Sequence, residues 1–370
     1  MDLNLTALQQ LFKSSNTSYK YLYFYALIKI VKKKNYIKTI NYKDIIREML
    51  IIAWLPSFQF NLKFREQDQI KDFLNNLTSF ADEAIKVNKP TNKIIEKIYK
   101  SIDDILKISE NKIFLENKLL KYVPVRLLRP FYKKFKKMPE TGRLGMFKMA
   151  NKILKNDYKK EQPPYLINFE KKEIILNKKW TKYIKDQFHF LELWVLDEWY
   201  KYMQYQNRNS PSLYEKLKFP EFQRNSLEKQ RKFWKKIIKQ NEIKCIFTNE
   251  TLNINNFDID HFICWNFLAH DQEWNLIPVL SKINRHKKIN KIPDVRFIEP
   301  FIDFKINSFN YARSILSPKK YNEYLAEHSN FLNFSHDQCF TPDFKSKYTE
   351  EIKSLANKAK NQGFEEFNGR

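Results

Sequence analysis

The chain has 370 residues, 43% of them hydrophobic and 16% aromatic, which is ample material for a buried core and excludes global disorder. Its net charge of +25 favours a polyanionic partner, because each phosphate neutralised by Lys or Arg releases counterions, although part of the Lys excess belongs to the Lys-, Asn-, Ile- and Phe-rich bias of AT-rich coding. Only four glycines occur (Gly142, Gly145, Gly363, Gly369), which excludes a Gly-rich phosphate loop, and the three cysteines (Cys245, Cys264, Cys339) form no CxxC pair, which excludes a four-cysteine zinc knuckle.

Taken in chain order, the first 60 residues read as helical. Ser15 to Ser18 offer N-cap candidates before an apolar helical pattern over Tyr19–Val31. A second helix is expected over Tyr42–Trp54, stopped by Pro56. Residues 68–88 and 92–120 again place apolar residues at helical spacing, and 121–131, with two prolines, reads as a connection. Short alternating runs over 163–178 predict a small hairpin, followed by one long amphipathic helix from about Trp180 to Tyr205. The stretch from Asn207 to Leu213 is loop-like. A basic helix follows over 226–241, and the tail from 301 is mostly helical. The expected architecture is α+β and mainly helical. It comprises a helical region over 1–206, a small α+β core with its basic helix over 207–300, and a helical extension over 301–370.

The unpaired cysteines point to a reducing compartment, and the start Met-Asp-Leu-Asn lacks a basic-then-apolar leader pattern. The most apolar stretch, Met49–Leu55, is far too short to span a bilayer. A cytoplasmic protein with no membrane partner is therefore expected.

The chemistry lies in 258–293, DIDHFICWNFLAHDQEWNLIPVLSKINRHKKINKIP. Asp260 and His261 are adjacent. In a strand Asp258 and Asp260 share one face and His261 the other, so a bend at the strand's end is needed to bring carboxylate and imidazole together. Asn275 and Asn284 follow at intervals of fourteen and nine residues, and Asn284 opens the polar run NRHKK. Phosphodiester hydrolysis needs a base for water, stabilisation of the pentacovalent phosphate, and relief of charge on the leaving oxygen. A neutral His serves the first near pH 7. A divalent cation on hard oxygen ligands serves the other two, and one carboxylate with one amide oxygen suits Mg²⁺.

These residues resemble the HNH, or ββα-metal, endonuclease family, in the pattern D-x-D-H, then W-N-L, then N-x-x-K. The likeness is greatest to the group that includes the nuclease domain of RNA-guided CRISPR effectors. The phrase Cys245-Ile246-Phe247-Thr248 resembles the C-I-Y-T-G opening of such domains. The resemblance implies His261 as general base, Asp260 and Asn284 as metal ligands, and Mg²⁺ (or Mn²⁺) as cofactor. It further implies Asn275 as the residue that fixes the loop and orients the base, and Lys287 as a phosphate contact. Asp258 and His286 are further candidates for metal or phosphate contact, with His286 an alternative ligand to Asn284. Lys232, Lys235 and Lys236 on the basic helix, with Arg285, are candidate nucleic-acid contacts; a plain solvated face is the other reading.

Three positions depart from the family pattern. Cys264 stands where proline is usual, Arg285-His286 replace small residues, and Asn249-Glu250 stand at a turn that commonly holds glycine. His270 and Asp271 read as ordinary loop polar residues, and Trp265 and Trp274 as packing anchors. A weaker likeness upstream, in SNTSYKYLYFYALI and NRNSPSLYEKL, is to larger bacterial HNH proteins with a helical region before the nuclease, often linked to restriction or antiphage defence. The implied function is a metal-dependent DNA endonuclease, with a homodimer or partner protein engaged through the N-terminal region. A non-catalytic nucleic-acid binder on the same scaffold and an RNA-cleaving toxin nuclease are the alternatives.

Overall fold

The computed structural model describes residues 3–13, 15–65, 68, 70, 74, 92–132, 156–218, 225–287 and 290–369. It is mainly helical with small sheets. The chain divides into two compact units, one running to Arg208 and the other from Asn209 to Arg370, with Phe60–Leu62 joining the second.

The first unit is built around helix Tyr19–Lys33, in which Tyr21 to Ile28, Ile30 and Val31 are all buried. So apolar a helix must be wrapped on several sides. Helices Tyr42–Phe58, Lys178–Asp186 and Phe188–Gln206 pack against it. The Tyr25 hydroxyl reaches the buried Glu192 carboxylate at 2.9 Å. Pro56 does not stop its helix, which runs on to Phe58. It sits in the last turn, where its missing N–H removes a single bond. The stretch 121–131 is helical as well, as Val123–Leu128 and a 3₁₀ turn at Arg129–Phe131. Each proline falls in the first turn, where no intrahelical donor is needed. The expected helix over 180–205 is two helices, broken at Gln187. Most of the helix expected over 68–88 lies outside the described residues.

The hairpin over 163–178 is present. β2 (Tyr165–Asn168) pairs antiparallel with β3 (Glu173–Leu176), with buried and half-buried residues alternating. A third strand, β1 (Thr39–Asn41), adds to the free edge of β3. Three residues are too few for a period to show, which is why the sequence does not announce it.

The second unit has one core. Helix Glu228–Gln240 lays Trp234, Ile237 and Ile238 against the antiparallel pair β4 (Phe257–His261) and β5 (Leu276–Leu280). Three C-terminal helices, Ile298–Ile315, Pro318–Leu332 and Pro342–Gln362, contribute to the same cluster. Phe301 stacks on Phe262 with centroids 3.9 Å apart, and Phe331 on Trp274 at 3.8 Å. The chain then returns: β7 (Glu366–Phe367) pairs parallel with β6 (Ile292–Pro293). The tail from 301 onward is therefore packed into the core that carries β4 and β5.

Candidate active site

β4 and β5 are joined in register from Phe257↔Leu280 to His261↔Leu276. Beyond His261 the chain must turn to enter the short helix Trp265–Leu268, and Asn275 makes that turn. Its own carbonyl accepts from the Phe262 N–H at 2.7 Å. Its side-chain Oδ1 accepts from the Ile263 N–H, and its Nδ2 donates to the Ile263 carbonyl, both at 2.8 Å. A side-chain amide thus stands in for one further rung of the ladder. Asn and Gln alone carry acceptor and donor in a peptide-like arrangement, and the fully buried position has no room to waste.

The bend leaves His261 buried at 1% exposure, with Nε2 2.9 Å from Asp271 Oδ1. Beside an ionised carboxylate Nε2 carries the proton, so the basic lone pair of the neutral ring lies on Nδ1. By sequence alone Asp271 reads as an ordinary loop residue. A carboxylate in the short connection between a strand-end His and its partner strand was the available signal. Next to it, burial pushes the His270 imidazole down to about 4, so this ring is neutral at physiological pH.

Asp260 is half-buried, and its Oδ1 accepts from the His261 N–H at 2.8 Å. Asp258 has a different task. Its Oδ1 accepts from Arg231 at 2.9 Å and from Arg285 Nη2 at 3.2 Å, and its Oδ2 from Arg285 Nε at 2.9 Å. Burial works against its charge, but the two guanidinium groups prevail and hold it below the ordinary carboxylate range. Asp258 and Arg285, which the sequence offered to metal and phosphate, are engaged with each other in an ion-pair network. That network ties β4 to the π-helical turn Ile283–Lys287, where Asn284 is half-buried. The side chains of His286 and Lys287 lie outside the described residues. Lys232, Lys235 and Lys236 are exposed on the helix face opposite Trp234 and Ile237.

Asn249 adopts φ 59°, the left-handed conformation for which glycine is commonly used, and Asn is among the few other residues that tolerate it. Its N–H closes the turn onto the Cys245 carbonyl at 2.8 Å. Cys245 and Cys264 are buried thiols, and Trp265 and Trp274 are buried anchors as expected. Among the described residues no three His, Cys, Asp or Glu side chains gather where they could hold an ion. Asp260 and Asn284, the two ligands that the resemblance implies, are hard-oxygen donors, a type that suits a largely hydrated Mg²⁺-type ion and not a zinc cage.

Residues 245–293 match the family model for HNH endonucleases. This segment is an HNH endonuclease domain. No curated protein and no solved structure matches the chain significantly. The HNH domain makes the protein a nuclease and nucleic acid its substrate. Among the described residues no helix is long and apolar enough to cross a membrane.

Proposed function

We propose that the protein is a divalent-metal-dependent DNA endonuclease with His261 as general base. The observation that carries this reading is a buried imidazole at a strand end, held through Nε2 by Asp271. In this reading His261 Nδ1 takes a proton from the attacking water. Asp260 and Asn284 are the side chains that would hold Mg²⁺ or Mn²⁺. Such an ion supplies charge stabilisation to the phosphorane and the leaving oxygen. Asn275 keeps the bend that sets the ring, and Lys287 adds positive charge at the phosphate. Lys232, Lys235 and Lys236 follow the backbone from their exposed helix face. One such domain cuts one strand, so a double-strand break needs two nicks or two copies. The setting that fits the family resemblance is cytoplasmic restriction or defence against invading DNA.

The test is a cleavage assay on plasmid, single-stranded DNA and RNA in parallel, with Mg²⁺, Mn²⁺ or EDTA. Nicked plasmid is expected with metal alone, and His261→Ala should lower the rate by about 10³-fold, within the range of general-base contributions. Equal cutting by wild type and variant would remove the mechanism. DNA retention in EDTA with no cutting under any metal would leave a binding module, and a preference for RNA would overturn the choice of DNA.

A further inference from the structure

The turn that presents Asn275 is held from outside the HNH segment. Glu273–Asn275 form a single 3₁₀ turn running straight into β5, so their carbonyls cannot all be satisfied within the turn. Each C-terminal helix sends a polar side chain to it. Lys305, from the first helix, donates through Nζ to the Glu273 carbonyl at 2.6 Å and to the Leu276 carbonyl at 2.9 Å, bridging the two sides of Asn275. Glu327, from the second, accepts from the Glu273 N–H at 2.7 Å. Tyr348, from the third, donates its hydroxyl to the Trp274 carbonyl at 2.5 Å. The Phe331 ring then stacks on Trp274, with 7° between the planes.

Lys305 and Tyr348 are both fully buried. A lysine taken wholly out of water is costly unless its ammonium is well bonded, and here two of its bonds go to main-chain carbonyls on either side of one asparagine. The Lys305 charge also faces the Glu273 and Glu327 carboxylates, so the lysine is counter-ion and clamp on the turn at once. The geometry reads outward from there. The turn fixes Asn275, Asn275 fixes Ile263, and Ile263 lies two residues past His261.

We propose that Lys305, Glu327 and Tyr348, one from each C-terminal helix, are positioning residues that fix the 273–276 turn and, through Asn275, the bend that sets His261. This rests on the nuclease reading above. None of the three touches the reacting phosphate in this account. Each acts through the backbone of residues 273–276.

The experiment uses the full chain and plasmid nicking with Mg²⁺, read as kcat and KM below every variant's melting temperature. Tyr348→Phe removes one oxygen and leaves the ring. Lys305→Met removes both donors at similar length. Ile352→Ala, one turn along from Tyr348 and fully buried, is the packing control, since it opens a cavity in the same core without touching the turn. Tyr348→Phe and Lys305→Met should each lose about tenfold or more in kcat with KM unchanged, while Ile352→Ala keeps the wild-type kcat even where its melting temperature falls further. If Lys305→Met does not fold, Tyr348→Phe carries the test alone. Unchanged kcat in Tyr348→Phe, or kcat falling with melting temperature across all three variants, overturns the proposal while the nuclease reading stands. A wild-type chain that cuts no nucleic acid under either metal overturns the nuclease reading, and this inference with it.

Discussion

Among the described residues two small antiparallel sheets lie in different units, and they bury different kinds of residue. In β2 and β3 the buried positions are Tyr165, Ile167, Ile174 and Leu176, and the polar residues Asn168 and Glu173 sit at the turn end, half-buried. In β4 and β5 nine of the ten residues are buried, Asp258 and His261 among them, with Asn275 immediately before β5. The first pattern is what a half-covered sheet needs. The second puts a carboxylate, an imidazole and an amide where each costs free energy unless bonded. Every one of them is bonded: Asp258 to two arginines, His261 to Asp271, Asn275 to Ile263. A sheet that retains buried polar groups and supplies each with a partner is better explained by chemistry than by stability.

The contrast can be broken most directly at Asp271. Asp271→Asn keeps the shape but lets the amide offer either its oxygen or its N–H to the ring, so the imidazole is no longer held with its proton on Nε2. A fall of about 10³-fold in single-turnover cleavage is expected, with the far-ultraviolet spectrum and melting temperature close to wild type. A rate within threefold of wild type would mean that the pair is structural, and the second sheet would then differ from the first only in polarity.

Two asparagines sharpen the comparison next. Asn275→Ala strands the N–H and carbonyl of Ile263 in the core, and each buried unsatisfied group costs about 1–3 kcal/mol. A loss of roughly 2–5 kcal/mol in urea unfolding is expected, with activity lost as well. Asn168 occupies the end of the other hairpin, where it receives the Lys171 N–H at 3.2 Å and donates to Glu173 at 3.3 Å, near solvent. Asn168→Ala should cost about 0.5 kcal/mol or less and leave cleavage untouched. Equal losses in the two variants would show that Asn275 is no more than a turn residue.

The elements most legible from sequence were those with a strong period or a fixed spacing. The hairpin over 163–178 announced itself by alternation, and the D-x-D-H to N to N intervals pointed to the segment that matches the HNH family. The assignments that failed were decided by local geometry. Pro56 and the prolines of 121–131 fall where a helix tolerates proline, and Gln187 breaks a run whose apolar period continues through it. For Asp258, a candidate for metal or phosphate contact, nothing in a linear sequence says that Arg231 and Arg285 converge on it. The clamp by Lys305, Glu327 and Tyr348 was invisible for the same reason. These residues lie 29 to 74 positions from the backbone atoms they hold, and a lysine inside a helix reads as a solvated charge until its burial is seen.

Lysines extend the comparison to the pH dependence of stability. Lys172, at the turn of the first sheet, has its side chain 47% exposed and pairs with the Glu116 carboxylate. Lys216, in the unit of the second sheet, is fully buried, and its bonds go to neutral acceptors, the Phe267 carbonyl at 2.6 Å and the Ser210 hydroxyl at 2.8 Å. Burial pushes it down to about 7 from the ordinary 10.5. Between those values the unfolded chain holds a proton that the folded one does not, so this group makes stability rise with pH across that window and contributes no slope on either side of it. The slope is at most about 1.4 kcal/mol per pH unit. Lys305 is pushed down as well, by burial, so the Lys216 contribution must be read as a difference. Urea unfolding of wild type and Lys216→Met at several pH values from about 7 to 9 isolates it, and the wild type should gain on the variant as pH rises. Parallel curves would mean that Lys216 keeps its charge in the fold, and that water reaches the carbonyl end of helix Trp265–Leu268.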